Sequence, residues 1–142
     1  MAEETAAGPL AGIRVLDLTS VLLGPYATQI MGDMGADVIK VESLEGDVTR
    51  NVTPFRNPGM GTVFLNVNRN KRSLSMDLKD SGARDALLEL VRSADVFVSS
   101  IRPAAMRRLG LAYEELKQEP ETDLLRRLRL QRTGTLCGAP GL

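Results

Sequence analysis

Apolar positions come in short runs whose spacing alternates between strand-like and helix-like. After a loose leader that Gly12 closes, Ile13-Arg-Val-Leu-Asp-Leu18 is crowded with aliphatic side chains and predicts a β-strand. Thr19 and Ser20 follow as candidate caps. Gly24-Pro25 then opens a helix in which Ala27, Ile30, Met31 and Met34 recur at helical spacing until Gly35 stops it. Asp37-Val-Ile-Lys-Val41 predicts a second strand. Strand, helix and strand within about thirty residues make a βαβ unit, whose strands run parallel.

Residues 42–61 are rich in Gly, Pro, Asn and charge and predict a long loop, a length uncommon unless the loop is functional or disordered. Residues 62–66 and 73–77 predict short strands on either side of Asn68-Arg-Asn-Lys-Arg72. Asp80 is placed to cap a helix running through Arg92, with Ala83, Leu87, Leu90, Val91 and Ala94 on one face. A strand over 95–99, a short helix from Pro103 to Leu109 ended by Gly110, and a helical turn or two over 113–118 complete the pattern. The alternation predicts an α/β fold with a mostly parallel sheet and helices on its faces.

Composition removes several function classes. The chain of 142 residues contains no His and no Trp, which excludes a His-based triad and a His metal site and leaves little for base stacking. Cys137, the single cysteine, has no internal disulfide partner and no base to activate it as a nucleophile. The first eight residues lack the apolar stretch of a signal peptide, and no apolar run approaches the ~18 residues of a membrane span. The expectation is a cytoplasmic protein that spans no membrane. All 18 acidic residues lie within positions 1–123, whereas Arg126, Arg127, Arg129 and Arg132 lie beyond. The body therefore carries 14 − 18 = −4 and the last 19 residues +4. A basic run of this kind could serve a nucleic acid, but the acidic body and the scarcity of aromatics argue against that partner.

Six segments carry a more specific signal. They are Gly12-Ile-Arg-Val-Leu-Asp-Leu-Thr19, Gly24-Pro-Tyr-Ala-Thr28, Gly32-Asp-Met-Gly-Ala-Asp-Val-Ile-Lys-Val-Glu42, Asn68-Arg-Asn-Lys-Arg-Ser73 with Asp77-Leu-Lys79, Ala94-Asp-Val-Phe-Val98, and Arg108-Leu-Gly-Leu-Ala-Tyr-Glu-Glu-Leu116. Together, and in this order, they resemble the N-terminal portion of family III CoA-transferases, the group that includes formyl-CoA and carnitine CoA-transferases. The resemblance covers roughly residues 9 to 120. It implies a Rossmann-like large domain, a homodimer of interlocked rings, and transfer of CoA from an acyl-CoA donor to a carboxylate acceptor. In that chemistry a buried Asp attacks the donor thioester. One branch, similar to alpha-methylacyl-CoA racemase, instead exchanges an α-proton with an Asp/His pair. A stand-alone module that binds CoA or a nucleotide without catalysis is the remaining alternative.

Carried over position by position, the resemblance implies that Val21, Leu22, Leu23 and Gly24 lie against the pantetheine and thioester. Met76 and Lys79 match positions that hold the adenine and phosphates. Ser100, Ile101 and Arg102 match a turn lining the nucleotide, and Arg108 matches an arginine that pairs with phosphate. Lys and Arg on a cleft wall suit the 3′-phosphate and diphosphate of CoA. Three positions depart from the usual pattern. Leu22 stands where formyl-CoA transferases have Gln, Ser43 where most members have Arg, and Ser100 where many have Asn. Read from the residues alone, Lys79, Arg102 and Arg108 are solvated surface charges. Leu22 and Leu23 are open to a second reading as core at a strand end. The Asn68–Ser73 block is open to one as a structural hairpin, with Asn68 and Asn70 in structural roles.

The resemblance stops after Pro120. One permitted set of codons for Leu125 to Leu142, read one base later, encodes Tyr-Ala-Ala-Ser-Gly-Tyr-Asn-Ala-Arg-Gly-Pro-Tyr-Ala-Glu-Arg-Pro-Ala, which is similar to the segment the family has at this place. Residues 1–8 are thus expected to be a disordered leader, 9–120 the N-terminal portion of the domain, and 121–142 an aberrant tail read out of frame. The nucleophilic Asp implied by the resemblance falls beyond residue 142, so none of the catalytic carboxylates is expected here, and the fragment itself is expected to be inactive.

Overall fold

The computed structural model describes residues 8–116. Apart from Gly8, the expected leader lies outside the described residues, as do the expected out-of-frame tail and the end of the helical turn expected to reach 118. The described chain runs β1 (Arg14–Leu18), α1 (Leu23–Asp33), β2 (Asp37–Glu42), a 3-10 turn (Val48–Asn51), α2 (Thr62–Val67), β3 (Lys71–Ser75), α3 (Ser81–Arg92), β4 (Val96–Ser99), α4 (Pro103–Arg108) and α5 (Tyr113–Leu116). The four strands form one sheet in the order β3-β2-β1-β4, and every pairing is parallel.

Strand alternation gives the sheet two inner faces. Leu16, Leu18, Ile39 and Val41 point one way and are buried with Leu87, Val91 and Ala94 of the α3 region, Met106 of α4, Leu111 and Leu116. Val15, Val38, Val96 and Val98 point the other way and pack with Ala36 and, more loosely, Met31 of α1. Burying an aliphatic side chain of this size contributes roughly 1.5–3 kcal/mol. The cap expected for α3 is present, with Asp80 Oδ1 accepting from the Ala83 N–H at 2.9 Å. Burial of Leu87 and Val91 agrees with the face read from the sequence.

Three expectations need correction. Residues 62–66 form no strand but the helix α2, in which Phe64 and Val67, three apart, are buried. The strand expected over 73–77 lies two residues earlier and runs parallel to β2, so the 68–73 block is no hairpin. In α1 the buried residues are Pro25, Thr28 and Gln29, while Ile30 and Met34 of the expected stripe are exposed. The reason for the last is polar: the sheet beneath the first turns of α1 presents a carboxylate, and Thr28 faces it.

Candidate functional site

In the order β3-β2-β1-β4 the chain steps outward from β1 through β2 to β3, then crosses back to add β4 on the other side of β1. The loops that leave β1 and β4 therefore diverge, and open parallel sheets keep their ligands in the crevice at that point, beyond the carboxyl ends of the strands. A cleft of about 490 Å³ opens there. Its wall comes from the β1 exit (Leu18, Thr19, Ser20), the β2 exit (Lys40 to Ser43), the following loop (Gly46 to Val48), the segment after β3 (Met76 to Lys79), Ile101 after β4, and Leu109.

The turn between β1 and α1 is the most constrained part of this wall. Val21 has φ +71°, a left-handed conformation that a β-branched residue adopts only under restraint, at a cost on the order of 1–3 kcal/mol. Gly24 follows because the turn folds back tightly: a Cβ there would lie 2.4 Å from the Thr19 Cβ. The Ser20 N–H donates to Ser100 Oγ at 3.1 Å, which ties the β1 exit to the β4 exit across the switch point. Lys40 Nζ donates to the Thr19 carbonyl at 2.9 Å and lies 3.1 Å from Asp47 Oδ2, which also accepts from the Val21 N–H at 3.3 Å. Helix α1 starts with no side-chain cap, so the first-turn amides carry only their own positive dipole end.

Below the cleft one face of the sheet changes from apolar to ionic. Register places Val15 beside Val38 and then Asp17 beside Lys40. Asp17 accepts from the Thr19 N–H and hydroxyl, from the Thr28 hydroxyl, and from Lys71 Nζ at 2.9 Å. Burial pushes the Asp17 carboxyl up, but the Lys71 ammonium and the two hydroxyls outweigh it and hold the group below its ordinary range. Burial likewise pulls the Lys71 ammonium down against the attraction of Asp17. Lys71 Nζ also donates to the Pro25 carbonyl and Asn68 Oδ1, at 2.8 and 2.9 Å. Three acceptors match the three protons of an ammonium, so the pair is ionised. Glu42 takes a two-pronged contact from Arg50, at 2.8 and 2.6 Å, and accepts from the Asp47 N–H and Ser73 hydroxyl. Burial pushes the Glu42 carboxyl up, but Arg50, the Asp47 N–H and the Ser73 hydroxyl together outweigh it and hold the group below its ordinary range. Arg50 in turn stacks on Phe64 of α2, 3.8 Å from the ring centre.

Of the residues singled out from the sequence, Met76, Lys79 and Ile101 line this cleft. Ser100 is joined to its wall by the bond from Ser20. Arg102 and Arg108 are exposed and adjoin the lining residues Ile101 and Leu109 along the chain. Val21 reaches the wall through its amide, whereas Leu22 and Leu23 stand 48% and 82% exposed, so neither is core at a strand end. The sequence reading missed Lys40, Asp47, Thr19 and Ser20. A signal was present: Lys40 and Glu42, two apart and so on one face, interrupt an otherwise aliphatic strand around Val41. Among the described residues no group of three or more potential ligands could hold a metal ion, and no helix is long and apolar enough to cross a membrane.

A parallel α/β sheet of this order, with a cleft at its switch point, is the architecture of a nucleotide-type binding domain. The sequence model of CoA-transferase family III matches residues 10–121, and the chain belongs to that family. It is 46% identical over 115 residues to the succinyl-CoA:mesaconate CoA-transferase of Haloarcula hispanica, covering 78% of this chain and 29% of that protein. To the acetyl-CoA:oxalate CoA-transferase of Acetobacter aceti it is 47% identical over 120 residues, covering 82% and 31%. Among solved structures, a CaiB/BaiF family protein from Brucella suis superposes with a TM-score of 0.73 at 39% identity, over 78% of this chain and 30% of that one. The chain thus spans under a third of the length of these relatives.

Proposed function

We propose that the protein belongs to an enzyme that moves CoA from an acyl-CoA donor to a carboxylic acid, and that residues 10–116 supply its CoA-binding wall. Support comes from the switch-point cleft, where Met76, Lys79 and Ile101 meet and Arg102 and Arg108 adjoin. In this reading Lys79, Arg102 and Arg108 meet the phosphates, Met76 and Ile101 the adenine side, and the turn of Val21, Leu22 and Leu23 the acyl-pantetheine arm with Ser100 behind it. The attacking carboxylate is proposed to lie outside these residues. Asp17 and Asp47 are buried against Lys71 and Lys40, Asp33 and Asp37 are paired with arginines, and Asp95 accepts from the Arg14 N–H. Each of these five is engaged, and Asp77, exposed on the cleft wall, accepts from the Lys79 N–H through Oδ1. A racemase-like enzyme, whose Asp/His pair would likewise lie outside these residues, is the alternative reading. A cytoplasmic location and an interlocked homodimer of the family's full-length chains belong to the same proposal.

Calorimetric titration of the 142-residue chain with CoA tests it. Weak binding is expected, falling with salt. Lys79→Ala and Arg108→Ala should each weaken it about tenfold, since a charge-assisted contact contributes roughly 1.5–3 kcal/mol. No CoA should pass between an acyl-CoA and a free acid. Tight binding indifferent to salt and to Arg108→Ala would place the site elsewhere, and turnover abolished by these changes would show that the chain carries its own nucleophile. Residues 121–142 are proposed to be read in a shifted frame. Sequencing the gene through codons 120–142 decides this, and a codon series whose +1 frame does not encode Ser-Gly-Tyr and Gly-Pro-Tyr rejects it.

A further inference from the structure

The Lys40–Asp47 pair grips both sides of a single residue. Its ammonium holds the carbonyl before Ser20, at Thr19 O, and its carboxylate holds the amide after it, at Val21 N. Both side chains are nearly inaccessible, at 2% and 1%. Asp47 is itself fixed from two directions. Its second oxygen accepts from the Thr49 N–H and hydroxyl, and its own N–H donates to Glu42, which Arg50 and Ser73 hold. What this assembly fixes is the least relaxed backbone in the region. Val21 is one of two non-glycine residues with positive φ among the described residues, and the other, Asn70, is of a type that tolerates it. The Val21 side chain is half exposed, so packing does not account for its conformation.

We infer that Lys40 and Asp47 are positioning residues that lock the Thr19–Val21 turn in its left-handed form and thereby set where Leu22, Leu23 and the first amides of α1 meet the ligand. The inference rests on the reading that this turn faces the acyl-pantetheine arm. A pair that merely stabilised the fold would leave ligand affinity and the Val21 conformation uncoupled. Glycine adopts positive φ without restraint. Removal of the clamp should therefore matter when residue 21 is Val and matter little when it is Gly.

The test is a cycle on the full chain: unaltered protein, Lys40→Met with Asp47→Ser, Val21→Gly, and all three together. Serine keeps a cap for the Thr49 N–H, and removing both charges avoids stranding either one. CoA affinity by calorimetry and Val21 amide exchange by NMR are read in each, with circular dichroism as the check on folding. The clamp-free Val21 protein is expected to lose about tenfold in CoA affinity, and the triple variant to stay within about threefold of Val21→Gly alone. Val21 exchange should rise about tenfold or more when the clamp is removed. Equal losses in both backgrounds overturn the inference. Should the unaltered chain bind no CoA, the functional reading fails, and the clamp stands or falls on Val21 exchange, unchanged exchange rejecting it. Should the paired variant not fold, Asp47→Asn alone is read in the same way, with an exchange increase of about threefold expected and none rejecting the clamp.

Discussion

Lys71 donates to Asp17 of β1, Pro25 of α1 and Asn68 at the end of α2, and so pins three elements with one ammonium. Its side chain is only 2% exposed. Lys71→Met would leave Asp17 buried without its counter-charge, a loss of about 3–5 kcal/mol. Urea unfolding should show a clear fall in midpoint, and an unchanged midpoint would mean that Asp17 finds another partner. The neighbours of Lys71 behave alike. Arg69 and Asn70 bind Asp33, Arg72 binds Asp37, and the Asn68 amide donates to the Phe64 carbonyl. From the sequence this basic block reads as a structural hairpin, with Asn68 and Asn70 in structural roles. The structure uses it as a rivet. The carboxylates that Arg69, Asn70, Lys71 and Arg72 bind lie 35 to 54 residues away, beyond the reach of any local pattern.

At the scale of elements, the tight seat of α1 on the end of β1 depends on Gly24. Gly24→Ala would place a methyl against Thr19 at 2.4 Å, where neither backbone can easily yield. A loss of about 1–3 kcal/mol is expected in urea unfolding, together with weaker CoA binding, because the helix start must move off the turn. Stability equal to that of the unaltered protein would show that the turn has slack. The elements that were legible in advance are those with long or two-sided patterns: β1, β2, β4 and α3, whose apolar residues recur often enough to establish a period. Thr62-Val-Phe-Leu-Asn66 is too short for that. Its β-branched and aromatic residues favour a strand, yet the segment packs Phe64 and Val67 downward and forms α2. In the same way the cleft's predicted members Met76, Lys79 and Ile101 came from a resemblance between sequences, while Lys40 and Asp47 become visible only when β2 is laid beside β1.

Across the described residues five carboxylates share one direction. Half-buried or buried Asp17, Glu42, Asp47 and Asp37, and exposed Asp33, are all held below their ordinary range, with burial opposing in each case and arginines, lysines, hydroxyls or backbone amides prevailing. A carboxylate whose folded pKa lies below its unfolded one binds fewer protons when folded. Its contribution is complete above the unfolded value of about 3.9–4.3 and drains away as pH falls through the lower, folded value. The urea midpoint should therefore hold level from pH 7 to about 5 and fall steeply below about 4. A midpoint level down to pH 3 would contradict the ionic ladder under the cleft.

The strand order also has a kinetic side. Contacts between β1 and β2 join residues about 23 apart, as in the Arg14–Asp37 pair, while those between β1 and β4 close a separation of 81, as in the bond from the Arg14 amide to Asp95. Long closures are entropically dearer and non-local parallel pairing is slow. The three strands β1, β2 and β3 should therefore associate first and β4 dock last. Pulse-labelled hydrogen exchange during refolding would show amides of β2 protected before those of β4. The crevice between the β1 and β4 exits then has no existence in the early intermediate. Whatever ligand it takes can bind only after the final strand arrives, which makes ligand capture a reporter of the last step of folding.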